Sequence, residues 1–354
     1  VPNIPKFEGL RQYKGVLFHS AKWNHDVSLE EKRVGVVGNA ASAIQFIPEI
    51  APVAREVTVF QRSANWILPK QDRLYADWEK ALVRRLPFLL KLYRFRIWAL
   101  TGGLFFMMKK GNEWLRKYYE KQVIRYINKS VDDPKLRQKL IPDYPLGAKR
   151  ILFSDNYYTA LNRPNVRVVT SGIQSLTQQG IATRDGKEYP LDVVILATGF
   201  RSNPLLAGLD IRGRSGQSLA AAWSSGVKNY LGMMVSGFPN FYMMYGPNTN
   251  LGHSSILLMS ESQAHYIAQC VATAARKGWH SLDVRPDAMA QYFGEIQRRL
   301  EGMIWNQIQT SWYKAPDGTL PNNWPGRTIE YRRRTRKPVF ADFEIRLPGG
   351  RTKI

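Results

Sequence analysis

The sequence predicts an α/β protein built on a doubly wound, mainly parallel sheet with an inserted helical subdomain. Three stretches predict it. Residues 32–63, KRVGVVGNAASAIQFIPEIAPVAREVTVFQRS, place an apolar run, a glycine, a helical pattern and a second apolar run in that order. This is the strand–turn–helix–strand order of one βαβ unit. Residues 192–199, DVVILATG, form a continuous apolar run ending in small residues, as expected of a parallel strand covered on both faces. Between them, residues 72–140 carry apolar side chains at helical spacing, interrupted by Lys and Arg, which reads as the insertion.

At 354 residues and 44% hydrophobic content the chain is long enough for two or more domains. Its one cysteine, Cys270, excludes an intrachain disulfide and a cysteine-based zinc site. Its five histidines, His19, His25, His253, His265 and His280, show no metal-ligand spacing. The first residues, VPNIPKFEGLRQY, hold no apolar signal segment, so a cytoplasmic setting is expected. They also lack an initiator methionine and are punctuated by proline, so an N-terminally incomplete chain is expected. The net charge of +23 suits nucleic acid, an anionic membrane or anionic cofactors. Only Arg332, Arg333, Arg334, Thr335, Arg336 and Lys337 form a dense basic run. With no nucleic-acid motif beside it, a solvated basic segment and no nucleic-acid partner are expected.

In chain order, residues 1–31 read as a connector with a short strand at 16–19. Gly38 then ends the first strand of the βαβ unit. Gly38 permits a sharp turn, and the small residues Asn39, Ala40, Ala41, Ser42 and Ala43 let a pyrophosphate approach the helix N-terminus. Free N–H groups and the helix dipole favour an anion there. The G-x-G-x-x-G fingerprint appears as G-N-A-A-S-A, keeping its first glycine only; a βαβ unit without a nucleotide is the alternative. The second strand runs into Arg62 and Ser63, where an NAD-binding unit carries an acidic residue. Arginine with a neighbouring hydroxyl suits a 2′-phosphate, hence NADP(H).

Within the insertion, residues 97–108 are its longest uncharged run, too short to span a bilayer. A buried helix is expected there; peripheral membrane contact through basic and aromatic helices is the alternative. Strands are expected at 165–170, 180–184 and 192–199. The loop GPNTNLG at 246–252 precedes a helix over 254–277 that stops at Gly278, giving a second helix N-terminus suited to an anion or carbonyl. Cys270 lies in that helix and is expected to be buried. A further helical pattern over 286–305 precedes a tail rich in Trp and Arg.

Taken together, these segments resemble the class B flavoprotein monooxygenases, and within them the Baeyer–Villiger monooxygenases. The family fingerprint F-x-G-x-x-x-H-x-x-x-W-P/D falls on Tyr13, Gly15, His19, Trp23 and Asn24, with Tyr for Phe and Asn for Pro or Asp. The turn at Gly38, the Gln61-Arg62-Ser63 segment, Lys149-Arg150, Ala197-Thr198-Gly199-Phe200 and Gly246-Pro247-Asn248 match further family segments. The resemblance implies a Rossmann-like flavoprotein with two dinucleotide-binding domains, whose first, FAD-binding βαβ unit is not in this sequence. It divides the chain into residues 1–26 and 196–354 for the FAD domain, 27–65 with 149–195 for the NADPH domain, and 66–148 for the insertion. It implies FAD and NADP(H) as cofactors, and a flavin peroxide that inserts one atom of O2 next to a ketone carbonyl. Nitrogen or sulfur oxygenation is the alternative, as is a non-catalytic remnant that binds only NADP(H). It further implies that Arg150 is catalytic, as a fixed cation beside the peroxide. Lys149, Arg62 and Ser63 would hold the 2′-phosphate, and Thr198 and Gly199 would lie close to the cofactors. For His19 and Trp23, packing is the competing reading.

Overall fold

The computed structural model describes residues 1–200, 206, 208–307, 313–315, 318–349 and 352–353; part of the Trp- and Arg-rich tail lies outside them. In chain order the first elements are β1 (Val16–His19), β2 (Arg33–Val37), α1 (Ala43–Ile50), β3 (Glu56–Phe60) and β4 (Ile67–Leu68). Four helices follow: α2 (Asp77–Arg85), α3 (Phe88–Met107), α4 (Glu113–Ser130) and α5 (Pro134–Leu140). Next come β5 (Leu152–Phe153), α6 (Tyr157–Leu161), β6 (Val166–Val169), β7 (Ile173–Leu176), β8 (Gly180–Thr183), β9 (Glu188–Pro190) and β10 (Val193–Leu196). The last are α7 (Leu219–Ala222), α8 (Leu257–Lys277), β11 (Ser281–Val284), α9 (Pro286–Glu301), α10 (Thr328–Arg334), β12 (Phe343–Arg346) and β13 (Thr352–Lys353). The chain divides into two units, one of residues 1–74, 116–146 and 150–202, the other of 75–115, 147–149 and 203–354.

The first unit is organised by a five-stranded sheet of order β1-β10-β2-β3-β6, parallel at every pairing. Strands β2 and β10 are the apolar runs read from the sequence, and β10 is buried along its whole length. Helix α1 repeats its apolar residues at helical spacing and buries Ala43, Ile44, Ile47 and Ile50, so it is held by its apolar stripe. Val37, Phe60, Val169, Val194 and Leu196 share a core cluster with Leu176, Ile181 and Leu191, which joins the sheet to the antiparallel sheet β7-β8-β9. Of those three strands only β8 was expected. β7 and β9 are short and carry exposed polar side chains, so their period-2 signal is weak. Opposite the functional edge, Arg33 clamps β2 to the start of β10 by donating to both carboxylate oxygens of Asp192, at 2.7 and 3.2 Å. That hydrogen-bonded guanidinium holds the Asp192 carboxyl below the usual range.

The second unit holds the antiparallel sheet β11-β12-β13 with α8, α9 and α10. Helix α8 ends where the sequence placed its stop, because Gly278 adopts φ +63°, a left-handed conformation that costs glycine little. Cys270 is fully buried in it. The basic run is solvated except at its centre, where Arg334 pairs with Glu295 and Thr335 is buried. Helix α3 meets the burial expected over 97–108 only in part: Phe105, Met107 and Met108 are buried, whereas Ile97, Leu100 and Phe106 are exposed. It holds to its own unit through Arg94, which bonds both oxygens of Glu261, and through Trp98, whose Nε1 donates to Thr328 at 2.9 Å. Along residues 88–100 nearly every position is exposed, apolar and basic alike, and the helix is buried only towards its C-terminal end.

Candidate nucleotide site

Parallel strands end together, and this sheet puts three predicted loops at one edge. Leu196 pairs with Val37, and Val37 with Phe60. The segments beginning at Ala197, Gly38 and Gln61 therefore leave the sheet at the same level. The chain runs from β2 outward to β3 on one side, while β10 flanks β2 on the other. The edge between the Gly38 and Ala197 loops is the switch point of the sheet, where open α/β sheets bind ligands.

Gly38 makes that turn possible. Its φ is +105°, and a Cβ there would lie 2.5 Å from the Ala197 carbonyl oxygen, so any side chain would strain the backbone and push the two loops apart. Beyond it, Ala40 and Ser42 are exposed, Ala41 half-buried and Ala43 buried. Ser42 occupies the N-cap without a side-chain capping bond. Small, uncapped residues leave the helix N-terminus open to an anion.

Asn39 was expected to contact the cofactor, but its side chain is engaged within the protein. Its amide donates to Gln61 Oε1 at 2.9 Å and to the Ser63 carbonyl at 3.1 Å. Asn65 donates in turn to the Asn39 Oδ1 and carbonyl oxygens, and Tyr144 donates to Asn65 at 3.3 Å. Burial pushes the Tyr144 phenol well up, so it stays a neutral donor. This network fixes the turn after β2 against the segment after β3, and only the Asn39 backbone is left for a ligand. Gln61 stood in the sequence only as part of the Gln61-Arg62-Ser63 segment, with no role of its own, and Asn65 and Tyr144 were not singled out; Asn and Gln flanking a strand end was the available signal.

Arg62 is exposed and Ser63 half-buried, and Arg62 has no ion-pair partner among the described residues. Arg150 is also exposed. The short parallel pair β4-β5 aligns Ile67 with Leu152, and the Leu152 N–H donates to the Trp66 carbonyl at 3.0 Å. That pairing brings the segment after Arg62 beside the segment after Arg150. Lys149 belongs to the other unit, so the structure does not group it with these residues.

The third loop is stapled from two directions. The Thr198 hydroxyl donates to the Asn3 carbonyl, and the Gly199 carbonyl accepts from the Asn3 N–H at 2.9 Å. His19 Nδ1 accepts from the Ala21 N–H at 3.1 Å, so Nε2 carries the proton and donates to the Gly199 carbonyl at 3.0 Å. His19 is thus a satisfied, buried histidine that holds the loop. Trp23 packs edge-on between Phe18 and the α1 residue Phe46, at 5.3 and 5.2 Å. Gly199 has φ +78° with open space where a side chain would be. What this loop offers a ligand is backbone. Asn3 gave no sequence signal, being 195 residues from its partner.

The other glycine-bracketed loop, before α8, is closed. Asn248 is buried, donates to the Leu320 and Asn323 carbonyls, and accepts from Asn229 at 3.0 Å. Asn250 donates to Asn323 at 2.7 Å. His253 is buried beside Phe105 with both ring nitrogens unpartnered among the described residues, and burial pushes its pKa down to about 4.

A switch-point edge carrying a glycine turn, an open helix N-terminus and an exposed arginine places the first unit in the Rossmann-like α/β class, whose members bind nucleotides at that edge. The pattern of the flavin-binding monooxygenase-like family matches residues 1–208, and the chain belongs to that family. It is 40% identical over 339 residues to a Baeyer–Villiger monooxygenase of Pseudomonas aeruginosa, covering 95% of this chain and 64% of that protein. It is 38% identical over 351 residues to a Baeyer–Villiger monooxygenase of Streptomyces coelicolor, covering 98% and 67%. Among solved structures it matches an oxidized steroid monooxygenase bound to NADP, with TM-score 0.83, 28% identity and coverage of 98% and 73%. The chain thus spans about two thirds of the length of the curated relatives it matches.

Proposed function

We propose that the full-length protein is an NADPH- and FAD-dependent Baeyer–Villiger monooxygenase acting on a small ketone with O2. The observation that carries this reading is Arg62. It is exposed and without an ion-pair partner among the described residues, and it directly follows the strand beside the Gly38 turn. Guanidinium binds phosphate through paired N–H donors and stays charged at any working pH, so it selects NADPH over NADH. The residues present fit a dinucleotide: a pyrophosphate would lie over Gly38 and the backbone of Asn39 and Ala40, with the Ser42 hydroxyl beside it and buried Ala43 leaving room. Arg62 and Ser63 would hold the 2′-phosphate. The flavin, when bound, supplies reduction by NADPH and the reaction with O2 that oxygenates the substrate. From this chain, the backbone of Thr198 and Gly199 would border it, and Arg150 would place a permanent positive charge near the oxygen that gains negative charge. The two relatives' names and the NADP in the steroid monooxygenase structure support the same assignment.

On this reading, residues 27–65 and 149–195 serve NADPH, 1–26 and 196–354 serve FAD, and 66–148 are the insertion. Among the described residues no helix is long and apolar enough to cross a membrane. The test is the purified full-length protein offered a ketone and a thioether side by side. Ketone-dependent NADPH oxidation with ester formation supports the proposal. A flavin-loaded protein that oxidises only the thioether, or neither, overturns it.

A further inference from the structure

The segment that carries Arg62 leaves the sheet directly after its last pairing: the Gln61 N–H donates to the Val169 carbonyl at 2.9 Å, and Arg62 is the next residue. Gln61 is 2% exposed, so its side-chain amide has to find its partners inside the protein. It has two. Its Oε1 accepts from the Asn39 amide at 2.9 Å, and its Nε2 donates to the Lys139 carbonyl at 2.7 Å. Lys139 lies in α5, at the end of the insertion and 78 residues away. The segment it opens is tied to this edge of the sheet at three further points. Lys139 Nζ donates to the Val168 carbonyl at 3.2 Å, Trp66 Nε1 donates to the Tyr144 carbonyl at 2.8 Å, and the Tyr144 hydroxyl donates to Asn65 Oδ1 at 3.3 Å. All of these residues belong to the first unit.

We propose that Gln61 is a positioning residue for Arg62, and that residues 139–144, acting through Gln61 and Asn65, set the preference for a coenzyme with a 2′-phosphate. The inference rests on the NADPH reading of Arg62. The turn after β2 has support of its own, because the Gly38 N–H donates to the Phe60 carbonyl at 2.9 Å. Residues 62–66 lie in no strand, and the side-chain bonds of Asn39, Gln61, Asn65 and Trp66 hold them in place. A guanidinium recognises phosphate through N–H donors of fixed geometry, so an arginine on a loosened segment loses that contact first. A pyrophosphate over Gly38 depends on the backbone of the turn after β2 and is affected less. Loss of the Gln61 amide therefore changes the discrimination between NADPH and NADH. A buried amide that served stability alone would affect both coenzymes alike.

The experiment is calorimetric titration of the full-length protein with NADPH and with NADH, for wild type, Gln61→Met, Arg62→Ala and the double variant. Gln61→Met keeps an unbranched side chain and removes both amide bonds. It should raise the Kd for NADPH about three- to tenfold and leave that for NADH within about twofold. Combined with Arg62→Ala it should change NADPH binding by no more than about twofold further, since it acts through that arginine. Asn65→Ala, at a half-buried position, should shift the same ratio in the same direction, and it carries the test should Gln61→Met not fold. Equal weakening towards both coenzymes, or an unchanged NADPH constant, overturns the proposal. So do effects of Gln61→Met and Arg62→Ala that multiply in the double variant. If Arg62→Ala itself fails to discriminate between the coenzymes, the NADPH reading falls, and this inference with it.

Discussion

Two loops in this molecule are alike in sequence and opposite in structure. Gly38-Asn39-Ala40-Ala41-Ser42 and Gly246-Pro247-Asn248-Thr249-Asn250 each put glycine, asparagine and small residues shortly before a helix. In the first, Ala40 and Ser42 are exposed and the helix N-terminus is uncapped. In the second, Pro247, Asn248, Thr249 and His253 are buried, and residues 320–324 take up the asparagine side chains. The first loop spends its Asn39 side chain on fixing the turn but leaves the Ser42 side chain and the helix N-terminus open, whereas the second uses its asparagine side chains to hold its own unit together. Composition marks a loop as able to bind an anion; which loop stays open depends on segments far away in sequence.

Four substitutions test that contrast. The largest effect belongs to the closed loop. Asn248→Ala removes three buried hydrogen bonds and leaves their partners unpaired, so stability should fall by about 3 kcal/mol or more in urea unfolding. His253 gives a pH signature of comparable size. Its folded pKa is about 4 against an ordinary 6.5, so above pH 6.5 neither state is protonated and the stability is complete. Between those values the unfolded chain binds a proton that the folded one does not. Stability should therefore fall by about 3 kcal/mol as pH drops through that window, and His253→Phe should flatten the slope. In the open loop, Gly38→Ala should cost about 1–3 kcal/mol from its positive φ and the approach of Ala197, and should also weaken NADPH binding. Ser42→Ala should change stability by less than about 0.5 kcal/mol, since Ser42 makes no capping bond. A large loss there would mean the helix start is structural after all.

What could be read in advance follows from the range over which each feature is determined. The runs VGVV and VVIL, the stop at Gly278 and the strand at 16–19 are local patterns, and the sheet and α8 formed where those patterns lie. The arginine after β3 is equally local, because strand and turn fix its place. The clamp of Asn3 on Thr198 and the closure of Asn248 by residues 320–323 are set by contacts between distant segments, which no window of sequence contains. The burial of helix α3 depends on distant segments in the same way. Its apolar content suggested burial, but burial also needs a surface to pack on, and only Phe105, Met107 and Met108 find one.

The central claim, that the open edge binds NADPH through Arg62, is tested most directly by coenzyme selectivity. Michaelis constants for NADPH and NADH should be compared in the wild-type full-length protein and in Arg62→Ala. Losing a charge-assisted phosphate contact costs about 1.5–3 kcal/mol. The KM for NADPH should therefore rise at least about tenfold, while the constant for NADH stays within about twofold. Equal weakening towards both coenzymes, or no change towards either, would contradict the account.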